Sequence, residues 1–403
     1  MRERIFVKAL SKTPLAWKNL THDMRRLVIA ICGIAFAVLL MFTQVGFQNA
    51  LFDSQAKLID DLQGDIFLVS KAKFTLASEK RFPITRLNQA RSCPGVKGAY
   101  PIYTELSTSV LRCIENGLGN RGYPLRSIGF FLDDPVFRAD EVNVQLPRLR
   151  TQQSALIDRK SKETKFPVPF DDDAALAQIQ VELAKKSLTL VGTFDLGTDF
   201  AHDGNLLMSA ESFAKYFPNR VRYGDPLGVI DIGIVHLLPD ANLEDVHEFI
   251  ERTLDKDVYV FTREQFRNEE IRFWDRSTPI GTIFLAGKII GFIVGMVICY
   301  QVIYSDIADH MAEFATLKAM GYTTRYFIGL ILTEAMLLAI VGYLPGAILS
   351  RGLYGWLSDK TGLLMLMTPF GLLFVFVATI AMCVASGLLA VRKLLAADPA
   401  NLF

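Results

Sequence analysis

Residues suited to metal or nucleophile chemistry are scarce here: 403 residues contain five histidines and five cysteines. His202, His236 and His247 are scattered, and there is no His-Glu-x-x-His run, no Cys-x-x-Cys and no Gly-x-Ser-x-Gly turn. Zinc hydrolysis and acyl transfer therefore lack their usual residues, and the histidines read as structural or solvated. The Gly117-Leu-Gly-Asn-Arg-Gly122 run lacks the Lys-Ser/Thr ending of a phosphate loop, so no motif here binds or hydrolyses ATP. A surplus of one charge sign is also missing. Lys and Arg total 43 against 42 Asp and Glu, and no strongly basic domain points to nucleic acid. The run Asp171-Asp172-Asp173 precedes an apolar helical pattern, which favours capping over calcium. No metal site is expected.

What the chain does have is four long apolar stretches, at 27–47, 281–304, 326–349 and 371–395. Each reaches roughly 20 residues, enough to cross a hydrocarbon core of about 30 Å as a helix. Segment 1–26 carries Arg2, Arg4, Lys8, Lys12, Lys18, Arg25 and Arg26 against Glu3 and Asp23, and Arg392 and Lys393 follow the last span. Basic flanks stay cytoplasmic, so 1–26 and the 396–403 tail are expected inside. That places 48–280 outside, 305–325 inside and the short 350–370 loop outside. The first span is longer than a signal-peptide core and has no small-x-small cleavage site after it, so it reads as a retained anchor. The fold expected is an α-helical membrane protein with four transmembrane helices and a large α+β extracytoplasmic domain between the first two.

Helical periodicity continues past the first span through Phe47, Leu51, Leu58 and Leu62. Before the second span, Thr262 reads as an N-cap for a helix leading to Pro279, with Trp274 at the membrane interface. These two segments are the expected stalks. Inside the domain, strands are expected at 65–69, 107–111, 188–191 and 228–235, and helices at 85–91, 173–183 and 242–254. An inserted lobe is expected over 112–228. Of the cysteines, Cys32, Cys299 and Cys383 fall in spans, while Cys93 and Cys113 are left open between a disulfide and two separate buried thiols.

Within the spans, Gly287, Gly291 and Gly295 repeat every four residues and allow close helix approach, read here as a contact between protomers. Lys288 lies near a membrane surface and can snorkel. Glu334 lies about 12 Å deep at 1.5 Å per residue, and a charge there is expected to bond within the helix bundle or at a dimer contact. A proton relay would need a second acid, and none is expected in another span.

The 305–325 loop carries a short amphipathic pattern. Ile307, Met311, Phe314 and Leu317 form one stripe, Asp306, Asp309 and Glu313 precede Lys318, and Gly321 suits a C-terminal cap. An acidic and apolar helix fits a protein partner better than an anionic bilayer.

The segment Glu313-Phe-Ala-Thr-Leu-Lys-Ala-Met-Gly321 resembles the signature after the second span of MacB- and FtsX-type ABC transporter permeases. Leu332-Thr-Glu334-Ala335, followed by Gly342 and Gly346, is similar to their third span, and Ala397-Asp-Pro399-Ala400 to their ending. Pro14-Leu-Ala-Trp-Lys-Asn-Leu20 and Gly64-Asp65-Ile66 bring it nearest to the DevC-like permeases of cyanobacterial glycolipid exporters. One departure is Met311-Ala312 where the family often has a basic residue before its Glu.

The resemblance implies a non-catalytic permease that works as a homodimer in a bacterial inner membrane. Met311, Glu313, Phe314, Leu317, Lys318, Met320 and Gly321 would couple it to a separate DevA-like ATPase, which binds the ATP and Mg. A DevB-like periplasmic adaptor and a TolC-like outer-membrane channel would complete a tripartite exporter of an envelope glycolipid. The alternative it implies is an FtsX-like mechanotransmitter that activates a cell-wall hydrolase without transport.

Overall fold

A computed structural model describes residues 23–115, 118–119, 121–199, 201–311, 316–317, 320–361, 363 and 365–396. The helices are α1 (Met24–Asp61), α2 (Ile84–Arg91), α3 (Asp140–Leu149), α4 (Asp173–Leu176), α5 (Ala210–Tyr216), α6 (Leu243–Thr253), α7 (Arg263–Arg276), α8 (Pro279–Asp309), α9 (Thr324–Thr361) and α10 (Pro369–Ala396). The strands are β1 (Ile66–Ser70), β2 (Phe82–Pro83), β3 (Val96–Glu105), β4 (Val110–Glu115), β5 (Leu118–Gly119), β6 (Tyr123–Pro124), β7 (Arg126–Phe130), β8 (Ser154–Asp158), β9 (Gln180–Leu183), β10 (Lys186–Phe194), β11 (Asn205–Ser209), β12 (Val229–Ile230), β13 (Ile232–Leu237) and β14 (Val258–Thr262). Two compact units result, a membrane-helix unit and a domain spanning Ala50–Pro279.

Among the described residues four helices, α1, α8, α9 and α10, are long and apolar enough to cross a membrane, where the sequence places them. Helix α1 has 38 residues, about 57 Å at 1.5 Å per residue, so it continues beyond the apolar stretch as its periodicity predicts. Two expected boundaries move. Helix α8 continues past 304 to Asp309, and α9 runs to Thr361, so most of the segment read as the 350–370 loop is helix. The apolar run marks where hydrocarbon ends, and nothing from Ser350 to Lys360 breaks the hydrogen-bond ladder there.

Glycines set how closely these helices pack. A Cβ on Gly291 would meet Met41 Cγ at 3.3 Å, and one on Gly295 would meet Ala37 Cβ at 2.7 Å, with the Met382 thioether also in the way. Gly287 faces the Gln44 side chain. The stripe expected to join protomers is thus occupied by α1 and α10 of the same chain. Helix α9 does the same with Gly342, against Ile34, and Gly346, whose Cβ would lie 2.8 Å from Val38 Cβ and 2.9 Å from the Ala35 carbonyl oxygen. Small residues permit this approach because dispersion, and not water exclusion, drives helix association in lipid.

The domain is built on one twisted path of strands, β14-β1-β13-β3-β7-β11-β8-β10-β9-β4-β5, with β6 on β4 and a separate β2–β12 pair. Strands β7 and β11, and β8 and β10, pair in parallel; the other pairs are antiparallel. All five residues of β1 are buried because both faces are covered. Ile66 and Leu68 join a core with α2 and α6, while Phe67 and Val69 join another with Leu58, Leu62 and Phe266. The α+β class expected from the sequence is observed. Residues 112–228, expected as an inserted lobe, are not set apart: β3 pairs with both β13 and β7, so the sheet runs from one part into the other.

Local chemistry fixes several ends. Asn242 caps α6 through Glu244 N, and Thr262 forms a capping box with Gln265. Asp172 accepts from Ala174 N and Ala175 N at the start of α4, the capping role expected of the acidic run. The Arg263 guanidinium donates to the carbonyls of Ile59, Leu62 and Gly64 at 2.9, 2.8 and 2.6 Å, closing the C-terminus of α1. Arg267 pairs with Asp53 and Asp60, tying α7 to the same helix.

Several buried charges meet an opposite charge. Arg220 bonds Asp231 and lies over the Tyr103 and Phe213 rings at 5.3 and 4.9 Å, while Arg81 reaches Glu105 at 2.6 Å. His202 bonds Asp199 at 2.5 Å, and Arg126 meets Asp199 at 3.1 Å. Burial, aided by Arg126, lowers the His202 pKa, so this imidazole is neutral and structural. Cys93 remains a thiol that reaches the Gln89 carbonyl at 3.5 Å, so a Cys93–Cys113 disulfide is not formed.

Gly346→Ala and Gly295→Ala should each overpack a helix contact, costing about 1–3 kcal/mol. Thermal melts in detergent should show both variants losing folded protein at lower temperature than wild type. Gly329→Ala, where no atom lies within 4 Å of the new Cβ, should melt like wild type.

Candidate functional site

The region that joins α8 to α9 holds most of the residues expected to engage a partner. Asp306 and Asp309 belong to the last turn of α8, and His310 Nδ1 lies 3.0 Å from the Asp306 carbonyl oxygen. Met311 and Leu317 are half-buried and Met320 is 63% exposed. Gly321 has φ +93°, the left-handed conformation that glycine takes at least cost. The Tyr322 N–H returns to the Leu317 carbonyl oxygen at 3.2 Å, a bond spanning five residues that defines a Schellman stop. The expected cap at Gly321 is therefore present. Glu313, Phe314 and Lys318 lie outside the described residues.

Behind this segment lies a small charged cluster within the membrane-helix unit. Asp23 caps α1 by accepting from Arg25 N and Arg26 N at 3.1 and 3.2 Å. The Arg26 guanidinium extends to Asp309, pinning the end of α8 to the start of α1. Asp23, Arg26, Asp306 and Glu334 line a cavity of about 20 Å³, room for about one water. Glu334 is 2% exposed, enclosed by this chain's own helices, so its burial needs no second copy. The acid absent from the expected spans is Asp306, which hydropathy assigns to the loop but the helix carries inward.

Other polar residues have simpler roles. Lys288 Nζ donates to Gln48 Oε1 at 2.8 Å. Trp274, expected at a membrane interface, is 8% exposed and donates its indole N–H to Glu270 Oε1 at 2.9 Å, so it belongs to the domain's interior. Among the described residues no group of three or more His, Cys, Asp or Glu is placed to hold a metal ion.

With the helices, loop and inserted domain described, the chain can be compared with known proteins. Residues 285–399 match the family described as FtsX-like permease C-terminal. That match starts in α8 and covers the loop, α9 and α10.

Two relatives that align over nearly the whole chain are named as ABC transporter permeases. An uncharacterized ABC transporter permease of Mycobacterium tuberculosis strain H37Rv is 23% identical over 398 residues, covering 96% of this chain and 98% of its own. A second, from Mycobacterium bovis, is 25% identical over 400 residues, with 96% and 98% covered. Two solved structures also align: the periplasmic region of MacB from Actinobacillus actinomycetemcomitans (TM-score 0.32, 12% identity, 52% of this chain and 92% of that one) and the extracellular domain of the ABC-type transporter YknZ from Gram-positive bacteria (TM-score 0.30, 10%, 49% and 99%).

The Arg26–Asp309 pair makes a direct prediction. Arg26→Asp or Asp309→Arg alone should lower the melting temperature in detergent, by the equivalent of about 1 kcal/mol for a half-exposed pair. The double swap should recover most of the loss; a swap no better than the two single losses combined would contradict the pairing.

Proposed function

We propose that this chain is the membrane subunit of a MacB-like tripartite exporter, moved by a separate cytoplasmic ATPase that docks on 305–325. Two copies form the working unit. Both termini face the ATPase, and the Ala50–Pro279 domain stands on the opposite side, where a periplasmic adaptor and a TolC-like channel continue the path. ATP and Mg bind the ATPase, and this chain transmits its motion. In the DevC-like version of this reading the cargo is an envelope glycolipid.

The observation that carries the proposal is the FtsX-like match across 285–399, which takes in the 305–325 loop together with the helices on either side. The Schellman stop at Gly321 and the Arg26–Asp309 pair support it, since a docking segment that transmits force needs both ends fixed to the helices it moves.

Leu317→Asp and Phe314→Ala should leave the protein inserted and folded but abolish ATPase recovery in pull-downs from detergent-solubilised membranes, together with function in the cell. Gly352→Ala serves as the control, with no atom within 4 Å of its new Cβ. Full ATPase binding by Leu317→Asp would remove the docking role from this loop.

A further inference from the structure

The inserted domain has a second feature that force transmission does not use. A cleft of about 530 Å³ lies between the 71–75 turn, strands β1 and β14, and helix α7. Ligand pockets commonly occupy roughly 300–1,000 Å³. The wall is aromatic: Tyr259 and Phe261 stack at 5.3 Å, and Phe261 and Phe266 at 5.9 Å with planes 9° apart. Phe74, on the turn, is 66% exposed, and Tyr259 is 43% exposed. So much ring surface facing one cleft is unusual for a surface with nothing to bind.

The charges around the rings are unbalanced. Glu270 is 3% exposed and fully engaged, accepting from Thr75 Oγ1, Leu76 N and Trp274 Nε1. Lys73 is 7% exposed and donates to the Ser78 carbonyl at 2.7 Å. Arg272 pairs with Glu269 at 2.5 Å. Lys71 and Arg276 remain, exposed and with no carboxylate partner among the described residues. The Lys71 ammonium lies 5.2 Å above the Tyr259 ring, so one unmatched cation sits directly on the aromatic wall.

Glu270 and Lys73 also make the turn rigid, and a preformed site loses less freedom when a ligand binds. Ser277, at the lip, is two residues from Pro279, the first residue of α8.

We infer that this cleft binds an anionic amphiphile, with its apolar tail against Phe74, Tyr259, Phe261 and Phe266 and its phosphate or carboxylate between Lys71 and Arg276. A neutral apolar ligand would leave both cations without a counter-charge, and a free anion would leave the rings uncovered. The inference rests on the domain's own geometry and stands whether or not the loop docks an ATPase.

The test uses the full chain in phosphatidylcholine nanodiscs. Lysophosphatidylglycerol is titrated while hydrogen exchange is followed in 71–76 and 259–273, with lysophosphatidylcholine and inorganic phosphate in parallel. Saturable protection by lysophosphatidylglycerol is expected, with lysophosphatidylcholine weaker by about tenfold or more and phosphate inactive. Arg276→Gln and Lys71→Gln change exposed side chains and should weaken binding without lowering the melting temperature; Tyr259→Ala should weaken both lysolipids. Equal protection by the two lysolipids, protection by phosphate alone, or unchanged binding in both cation variants would each overturn the assignment. Protection by an acidic strand-forming peptide but not by lysolipid would assign the cleft to strand addition on β14 and overturn it as well.

Discussion

Helix α1 can reach its neighbours only because they present glycine to it. At Gly291, Gly295, Gly342 and Gly346 the space a Cβ would need is filled by α1 residues between Ile34 and Met41 or, at Gly295, by Met382 as well. In a bilayer the solvent is as apolar as the side chains, so this contact has to come from close packing and satisfied backbone. Everything proposed for the loop depends on it, because the Arg26–Asp309 pair can form only if α1 and α8 stay in contact along their length.

The inserted domain solves a different problem in water. Its sheet is covered on both faces, so β1, β7, β8 and β11 are buried throughout, and three ion pairs lie inside: Arg220 with Asp231, Arg81 with Glu105, Arg126 with Asp199. Removing one partner from such a pair would strand a buried charge, typically costing about 3–5 kcal/mol. Burial raises the Glu270 pKa, yet two hydrogen bonds, from Thr75 and Leu76, hold that carboxyl against the 71–78 turn beside the aromatic cleft, and a third comes from Trp274 on its own helix.

Much of this was legible from local signals. The four spans follow from hydropathy, and the Asn242, Asp172 and Thr262 caps follow from short polar side chains placed before helical patterns. Where local and tertiary preferences conflict, the sequence misleads. Residues expected to form a helix over 173–183 give one turn and then β9, whose buried Val181 and Leu183 alternate to fit the space between β4 and β10. The strand expected at 107–111 starts instead at Val110, because the Glu79 carboxylate takes the Leu106 and Ser107 N–H groups that a ladder would need. Asp306 reads as loop from hydropathy because a charged turn ends an apolar run without ending its helix. The glycine stripe is legible in the sequence, but its partner is not: spacing shows that a helix can come close, and only the fold shows that α1 and α10 of the same chain do so.

In the proposed function this chain passes force between an ATPase and an envelope assembly. The most direct test is purification of the tagged protein from its native membrane in mild detergent, with co-purifying chains identified by mass spectrometry. The expected result is an ABC ATPase together with a periplasmic adaptor. An ATPase accompanied by a cell-wall hydrolase and no adaptor would contradict export in favour of mechanical signalling, and recovery of no ATPase would contradict the claim altogether.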